Sequence, residues 1–423
     1  MTTPEVQRAI EVVWRLESPR VIAGLTRMVR DLALAEDLAH DALVAALEQW
    51  PAEGLPRNPG AWLMAAARHR AIDQLRRRTR LVRKHEELAR DLEAGRAPLA
   101  PEFDGAMDDD IGDDLLRLIF TACHPVLSTE ARVALTLRLL GGLTTGEIAR
   151  AFLVPEPTIA QRIVRAKKTL AKANVRFEVP RGVERQQRLA SVLDVIYLVF
   201  NEGYSATAGE DWVRPSLCEE GLRLGRALAE LAAGEPEVHG LVGLMELQSS
   251  RLRARLGPHG EPVRLLDQNR ARWDRLLIGR GLTALRRADR LTREPGSYHL
   301  QAAIAACHAR ATVAEETDWS RIADLYVTLI AATGSPIVRL NHAVAVGMAD
   351  GPAAGLALVD ALLAEGSMDD YHYAPSVRGD LLEKLGRHAE AHAEFERAAA
   401  LTKNAREREL LRARAQACVP SPR

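Results

Sequence analysis

LTTGEIARAFLVPEPTIAQRIVRAKKTLAKANVR, residues Leu143–Arg176, is the stretch from which the fold is read. Thr145 is suited to cap a first helix whose Ile148, Ala149 and Phe152 face inward. Leu153-Val154-Pro155 breaks that helix, and Glu156-Pro157 opens a second, because proline is tolerated in a first turn where its missing N–H costs nothing. Ile159, Ile163, Ala166 and Leu170 recur at helical spacing and hold the second helix to a core. Between Thr158 and Arg176 there are six Lys or Arg and no acid. A basic amphipathic helix alone is more often a solvated surface. The short turn before it makes the pair a helix-turn-helix, a shape suited to a DNA major groove. Thr158, Ala160, Gln161 and Arg165 are then expected nearest the base edges, with Arg162, Lys167 and Lys168 neutralising phosphates.

Upstream, AWLMAAARHRAIDQLRR (Ala61–Arg77) follows the loop-like PAEGLPRNPG (Pro51–Gly60). On a helical wheel Leu63, Met64, Ala67, Ala71 and Leu75 form an apolar face, while Trp62, His69, Asp73, Arg76 and Arg77 gather opposite. From Arg68 to Lys84, eight Lys or Arg, Arg70 among them, meet one acid, Asp73. An aromatic at the start of a basic face can stack on an unpaired base while its neighbours hold phosphates. Trp62 can equally close the apolar end of the loop before it, and the wheel leaves both readings open. AEDLAHDALVAALEQW (Ala35–Trp50) is a second amphipathic helix whose Glu36, Asp37 and Asp41 are expected to face outward.

Composition sets the frame. With 423 residues, 47% apolar and only 4% aromatic, the chain is expected to be all-α, soluble and divided into several domains. A net charge of zero hides strong segregation. Residues 8–84 read as a helical block with a basic end, and 115–180 as a second helical block. Between them 85–114 is a linker with eleven acids against two Arg, expected to be a solvated tether. Residues 183–300 read as a helical extension and 301–418 as helical hairpins. In the hairpins Ile322, Gly355 and Ala391 lie 33 and 36 residues apart, with Tyr326, Val359 and Phe395 each four further on. Gly386, Ala391, Phe395 and Ala398 fall where a tetratricopeptide-like repeat has its turn glycine, small residue, aromatic and alanine. Such stacked hairpins offer a surface for a protein or peptide. Four scattered Cys without a CxxC pair argue against a disulfide framework or a structural zinc. The start MTTPEVQRAIEVVW lacks the features of a signal peptide, and no apolar run is long enough for a membrane span. A cytoplasmic protein with no cofactor and no metal is expected.

With both blocks in view, the chain resembles a bacterial sigma-70 type sigma factor of the extracytoplasmic-function group. AEDLAHDALVAALEQW looks like regions 2.1–2.2, WLMAAARHRAIDQLRR like regions 2.3–2.4, and LTTGEIARAFLVPEPTIAQRIVRAKKTL like region 4.2. The resemblance covers roughly residues 8–178. HPVLSTEARVALTLRLLGGLTTGEIARAFLV, YLVFNEGYSA and LLDQNRARWD extend it to a subgroup with a fused tetratricopeptide-like extension. It implies core RNA polymerase (β′ clamp helices and β flap) and promoter DNA as partners. It further implies Glu36, Asp37 and Asp41 on the polymerase; Trp62, His69, Arg70, Arg76 and Arg77 at the −10 element; and Thr158, Gln161, Arg162, Arg165, Lys167 and Lys168 at the −35 element. Pro51–Gly60 would offer a pocket to a flipped base. Pro157 and Ala160 depart from the small residue and polar base reader common at those positions, and the linker is longer and more acidic than usual.

Two other readings compete. A one-component activator with a repeat sensor accounts for the second block and the extension, but not for Ala61–Arg77. An enzyme in 185–300 would draw on Glu202, Tyr204, Asp211, Glu219 and Glu220, yet no metal-spaced His pair, nucleophile motif or phosphate loop accompanies them. Cys123 and His124 are neighbours that a helix would turn about 100° apart, which disfavours a dyad.

Overall fold

The computed structural model describes residues 3–90 and 111–419 apart from positions 207, 259 and 367, with side chains described over 6–77 and 113–419. Most of the acidic linker and the side chains of Arg78, Arg80, Arg83 and Lys84 lie outside the described residues. Among the described residues every regular element is a helix. None of these helices is long and apolar enough to cross a membrane. The chain divides into two compact units, Met1–Val195 and Ile196–Arg423.

The first unit holds α1 (Thr3–Val29), α2 (Leu32–Glu53), α3 (Pro59–Arg90), α4 (Ile111–Ala122), α5 (Thr129–Leu139), α6 (Thr145–Phe152) and α7 (Glu156–Lys172). The division falls within α8 (Gly182–Tyr204). α1 packs against α2, α3 and α4, and α7 against α5 and α6. Asp31 caps α2 by accepting from the N–H groups of Ala33 and Leu34. α2 runs on to Glu53, so the loop before α3 is narrower than the expected Pro51–Gly60; Pro51 costs the last turn one hydrogen bond without ending it. The cap of α6 is Thr144 rather than Thr145. Its hydroxyl accepts from the Glu147 N–H, and the Glu147 carboxylate accepts from the Thr144 N–H at 2.7 Å. A capping box needs its acid three residues after the cap, and Glu147 stands three after Thr144. Leu153 then turns the chain with a left-handed φ of 51°, and Pro155 leads into α7.

The second unit comprises α9 (Pro215–Leu231), α10 (Pro236–Ser249), α11 (Arg275–Leu291), α12 (Ser297–Arg310), α13 (Trp319–Thr333), α14 (Pro336–Ala349), α15 (Pro352–Ala364), α16 (Tyr373–Lys384), α17 (His388–Leu401) and α18 (Ala405–Ala417). α10 lies at the centre of its first half, touching α9, α11 and α12. The contact with α12 depends on Gly240, where a Cβ would come within 2.6 Å of the His299 backbone nitrogen. A side chain there would have to push two helices apart. From α12 onward each helix packs on the next. At the repeat-spaced positions Ile322, Ala391, Val359 and Phe395 are buried, Gly355 lets α15 close on Gly347, and Tyr326 keeps partial exposure. The N-terminus of α18 is tied back to the loop after α8. Asn404 Nδ2 donates to the carbonyls of Ala206 (3.1 Å) and Asp211 (2.8 Å), and the Ala405 N–H donates to Gly209.

Phe395 anchors the last hairpins. A Cβ on Gly379 would sit 2.8 Å from its ring, and the Arg414 guanidinium lies 4.2 Å from the ring centroid. Phe395→Ala is expected to cost about 3–5 kcal/mol. The check is a lowered urea midpoint for the transition of this unit with native helicity retained by circular dichroism.

Candidate nucleic-acid interface

α7 is held from below by Ile159, Ile163, Ala166 and Leu170, all buried. That stripe fixes what the helix offers to solvent. Ala160, Gln161, Arg165 and Lys168 are exposed, while Thr158 and Arg162 are half-buried. Pro157 stands exposed in the first turn, where α7 lacks a side-chain cap. The exposed side is mostly polar and basic, with Val164 exposed among its cations.

The wheel of α3 is realised in three dimensions. Leu63, Ala67 and Ala71 are buried, with Met64 and Leu75 partly so, and His69, Asp73, Arg76 and Arg77 are exposed. Arg70 is half-buried beside them. Of the two places that the wheel left open, Trp62 takes up the packing contact. Its ring packs edge-on against Trp50 at 5.3 Å between centroids and 69° between planes, and Trp50 is buried. Such a pair contributes about 0.5–1.5 kcal/mol beyond the area it buries. Trp62 therefore braces the end of α2, and one side of it stays half-exposed.

The acidic trio on α2 does not stay together. Asp37 and Asp41 face solvent, but Glu36, expected outward, is 4% exposed. The cause is a cover supplied by the second block. Arg138 of α5 donates from Nε to Glu36 Oε1 at 2.7 Å, and Lys167 of α7 pairs with the other oxygen. His40 completes the cluster: its Nδ1 lies 2.9 Å from the Glu36 carbonyl oxygen, and its Nε2 lies 2.7 Å from Arg138 Nη2. Since guanidinium can only donate, Nε2 is the accepting nitrogen and Nδ1 carries the hydrogen. Burial pushes the Glu36 carboxyl up, and Lys167 and Arg138 together more than reverse it, leaving the group below the ordinary carboxylate value. Lys167, expected on phosphates, is thus turned inward. It follows Ile163 by four residues and precedes Leu170 by three, so it shares their side of the helix.

Two further contacts join the same blocks. Arg15 Nη2 of α1 meets Glu147 Oε1 of α6 at 2.6 Å. Beside it Gly142, with φ of 64°, lies so close to α1 that a Cβ would be 3.2 Å from Arg15 Cα. Arg27 of α1 pairs with the buried Asp114 at 3.2 Å. Arg138 and Arg15 carried no signal in the sequence pattern, because their partners lie 102 and 132 residues away. Elsewhere, Glu202 is engaged by Arg214, Cys123 is buried with its thiol pushed up to about 11 by burial, and no cluster of His, Cys, Asp and Glu among the described residues could hold a metal ion.

Known proteins align with these surfaces. Residues 13–81, spanning most of α1 to most of α3, match the family described as Sigma-70 region 2, and residues 117–170, α4 to α7, match Sigma-70 region 4. Residues 188–289 match a family described as of unknown function (DUF6596). A protein of Rhizobium meliloti (strain 1021), described as uncharacterized, is 45% identical over 395 residues, which cover 93% of this chain and 92% of that one. Regions 2 and 4 in order on one chain mark a transcription initiation factor that works with core RNA polymerase and promoter DNA. The exposed cations of α3 and α7 lie inside those two regions. The chain belongs to the sigma-70 family of RNA polymerase sigma factors, of the extracytoplasmic-function type, with a helical C-terminal extension.

Proposed function

We propose that this sigma factor rests in a closed state in which region 4 covers part of the polymerase-binding surface of region 2, and that its extension modulates the passage to the open state. The observation that carries this reading is the burial of Glu36 under Arg138 and Lys167. Asp37 and Asp41 remain available to the β′ clamp helices while Glu36 does not. Lys167 cannot hold a −35 phosphate and Glu36 at the same time. Core binding on α2 and DNA binding on α7 therefore draw on the same two side chains that hold the closed state. Opening frees Thr158, Gln161, Arg162, Arg165, Lys167 and Lys168 for the −35 element. His69, Arg70, Arg76 and Arg77 line the melted −10 strand, with Trp62 at its edge. The factor supplies promoter specificity and strand opening in the cytoplasm, and core polymerase carries out the chemistry.

Glu36→Gln keeps the shape and removes the charge, leaving two cations facing each other across a neutral amide. Breaking a buried pair from one side costs about 3–5 kcal/mol. Tryptic cleavage after Arg138 and Lys167 should accelerate by roughly a hundredfold or more in the variant. Cleavage at the wild-type rate would show that the contact does not hold the blocks together. The sign of the pH dependence follows from the lowered carboxyl. The contribution of Glu36 is full above its unfolded value of about 4.3 and is lost as pH falls through the depressed folded value, so closure persists across the neutral range.

Run-off transcription with core polymerase tests the rest. Arg76→Ala with Arg77→Ala should reduce promoter binding and flatten its log–log salt slope by about 1.4, the value for two single-strand phosphate contacts. An unchanged slope removes them from the strand. Residues 1–195, in which α8 keeps its hydrogen bonds to Phe120 and Cys123 through Arg188 and Ser191, should give an output different from the full chain. Equal output removes the modulating role of the extension.

A further inference from the structure

α11 turns Ile278, Gly281, Leu285 and Ala288 into the core. The opposite half of the helix carries Arg275, Arg280, Arg286, Arg287 and Arg290, all exposed, and no acid. Asp289, the acid within α11, lies off that half and is held by His299 Nε2 at 2.7 Å. None of the five guanidiniums forms an ion pair among the described residues. Arg286 donates to Thr283 Oγ1 at 2.9 Å, and Arg287 reaches the Ala233 carbonyl at 3.5 Å. The charge of Arg280 is felt by Glu246, but that carboxylate is paired with Arg226. Leu276 stands among these cations 64% exposed, more than any other large apolar side chain described in the second unit.

Along this half runs a groove of about 720 Å³ between α11 and the end of α9. Ala229 and Ala233 line one side, Leu276, Gly279 and Ala284 the other, and the buried His239 of α10 lies at its base. Burial, aided by Arg287 and only partly offset by the Ala233 carbonyl, holds the His239 imidazole below its ordinary value, so the base carries no charge at neutral pH. Arg275, Arg280 and Arg287 line the groove against a single acid, Glu230. Gly279 is the feature that the fold does not explain. Gly281, two residues on, is required, because a Cβ there would lie 2.6 Å from Leu247 Cγ. A Cβ on Gly279 would meet nothing within 4 Å, and the residue is exposed in the interior of a helix that glycine weakens relative to alanine. Bare backbone in a groove lets another element approach closely.

We propose that this groove docks an acidic amphipathic helix of a partner protein. α9 and α11 satisfy their backbone groups internally and offer no strand edge, so an occupant must satisfy its own, as a helix does. From Arg275 to Arg287 the groove follows α11 for about 18 Å, the length of three to four helical turns. The apolar stripe of the partner covers Leu276 and seats a small residue on Gly279, and its flanking carboxylates meet Arg275, Arg280 and Arg287. No Trp, Tyr or Phe ring lines the groove for a base to stack on, and a phosphate backbone gains nothing from Leu276, which favours protein over nucleic acid. The groove lies before the hairpins of 301–418, and its role does not depend on the closed-state reading.

The test uses the full chain and reads the fluorescence anisotropy of a labelled synthetic peptide of about fourteen residues, with Leu and Ala on one helical face and Glu beside them. Its scrambled isomer carries the same charge without the stripe. The patterned peptide should bind roughly tenfold more tightly than the isomer, or better. Gly279→Leu fills the groove and should weaken the patterned peptide by roughly tenfold or more. The same substitution should raise the thermal midpoint of the free protein by roughly 2 °C, because leucine is the better helix former. Binding lost from a more stable protein separates docking from folding. Arg275→Ala with Arg280→Ala should weaken the patterned peptide by roughly tenfold and flatten its salt dependence. Equal affinity for the two peptides, or an unchanged affinity in Gly279→Leu, overturns the proposal. It falls as well if Gly279→Leu weakens duplex DNA or single-stranded RNA in place of the peptide. A peptide of residues 85–114 that outcompetes the patterned one assigns the groove to this chain, and a dimer that Gly279→Leu dissociates in sedimentation assigns it to a second copy; either result overturns a separate partner.

Discussion

A carboxylate removed from water must be met by cations, and in this sigma factor Glu36 is met by two that belong to another part of the chain. Arg138 and Lys167 come from separate helices of region 4, so one buried oxygen pair fixes α5 and α7 over α2 at once. A second buried carboxylate, Asp114 of α4, is met by Arg27 of α1 and by Arg117 of its own helix, and the remaining joining contacts are peripheral. Arg15 and Glu147 meet where both are solvated, and an exposed pair contributes at most about 1 kcal/mol. The Gly142 approach supplies shape without charge. On the closed-state proposal, specificity then rests on two desolvated carboxylates, of which Glu36 alone draws a cation from α7. The strength of the Glu36 cluster is conditional, because it holds only while both cations stay.

That conditional character suits a protein that must change partners. Lys167 is a compact ammonium on a flexible stem, able to leave one anion for another, whereas Arg138 is further fixed by His40 and by the Leu143 carbonyl. The mobile half of the clamp lies on the helix expected to meet DNA, and the fixed half on the helix behind it. A phosphate that captures Lys167 leaves Glu36 with one cation instead of two. On the closed-state proposal the loss is then felt on α2, although no residue of that helix touches the phosphate.

How much of this could be read beforehand depends on which distances the sequence encodes. The helix-turn-helix was legible because its signals are local: the break at Leu153-Val154-Pro155 and the stripe Ile159, Ile163, Ala166 and Leu170. Lys167 stands at the edge of the same stripe, four residues after Ile163 and three before Leu170, where its charge alone points to a phosphate. Glu36 was not legible. On α2 it lies at the edge of the Ala35, Leu38, Ala39 and Ala42 face, a position solvated on an isolated helix and buried only when another element covers it. Trp62 was undecidable for the related reason that its partner, Trp50, belongs to the preceding helix. The signal for the cap at Thr144 rather than Thr145 is local as well, since Glu147 stands three residues after Thr144.

Where the first unit is joined by charge, the extension is joined by shape. A chain with 4% aromatic residues builds its helix contacts from alanine, leucine and glycine, and a ring enters where those side chains are too small for the gap. Phe395 and Phe200 are fully buried in this way, and Tyr204 and Tyr298 keep only 7% and 8% exposure. Tyr326, Tyr371 and Tyr373 pack against the cores beside them while keeping part of the ring at the surface. A phenol suits that half-buried place because its apolar body packs while its hydroxyl can still reach a polar partner, which a phenylalanine could not do.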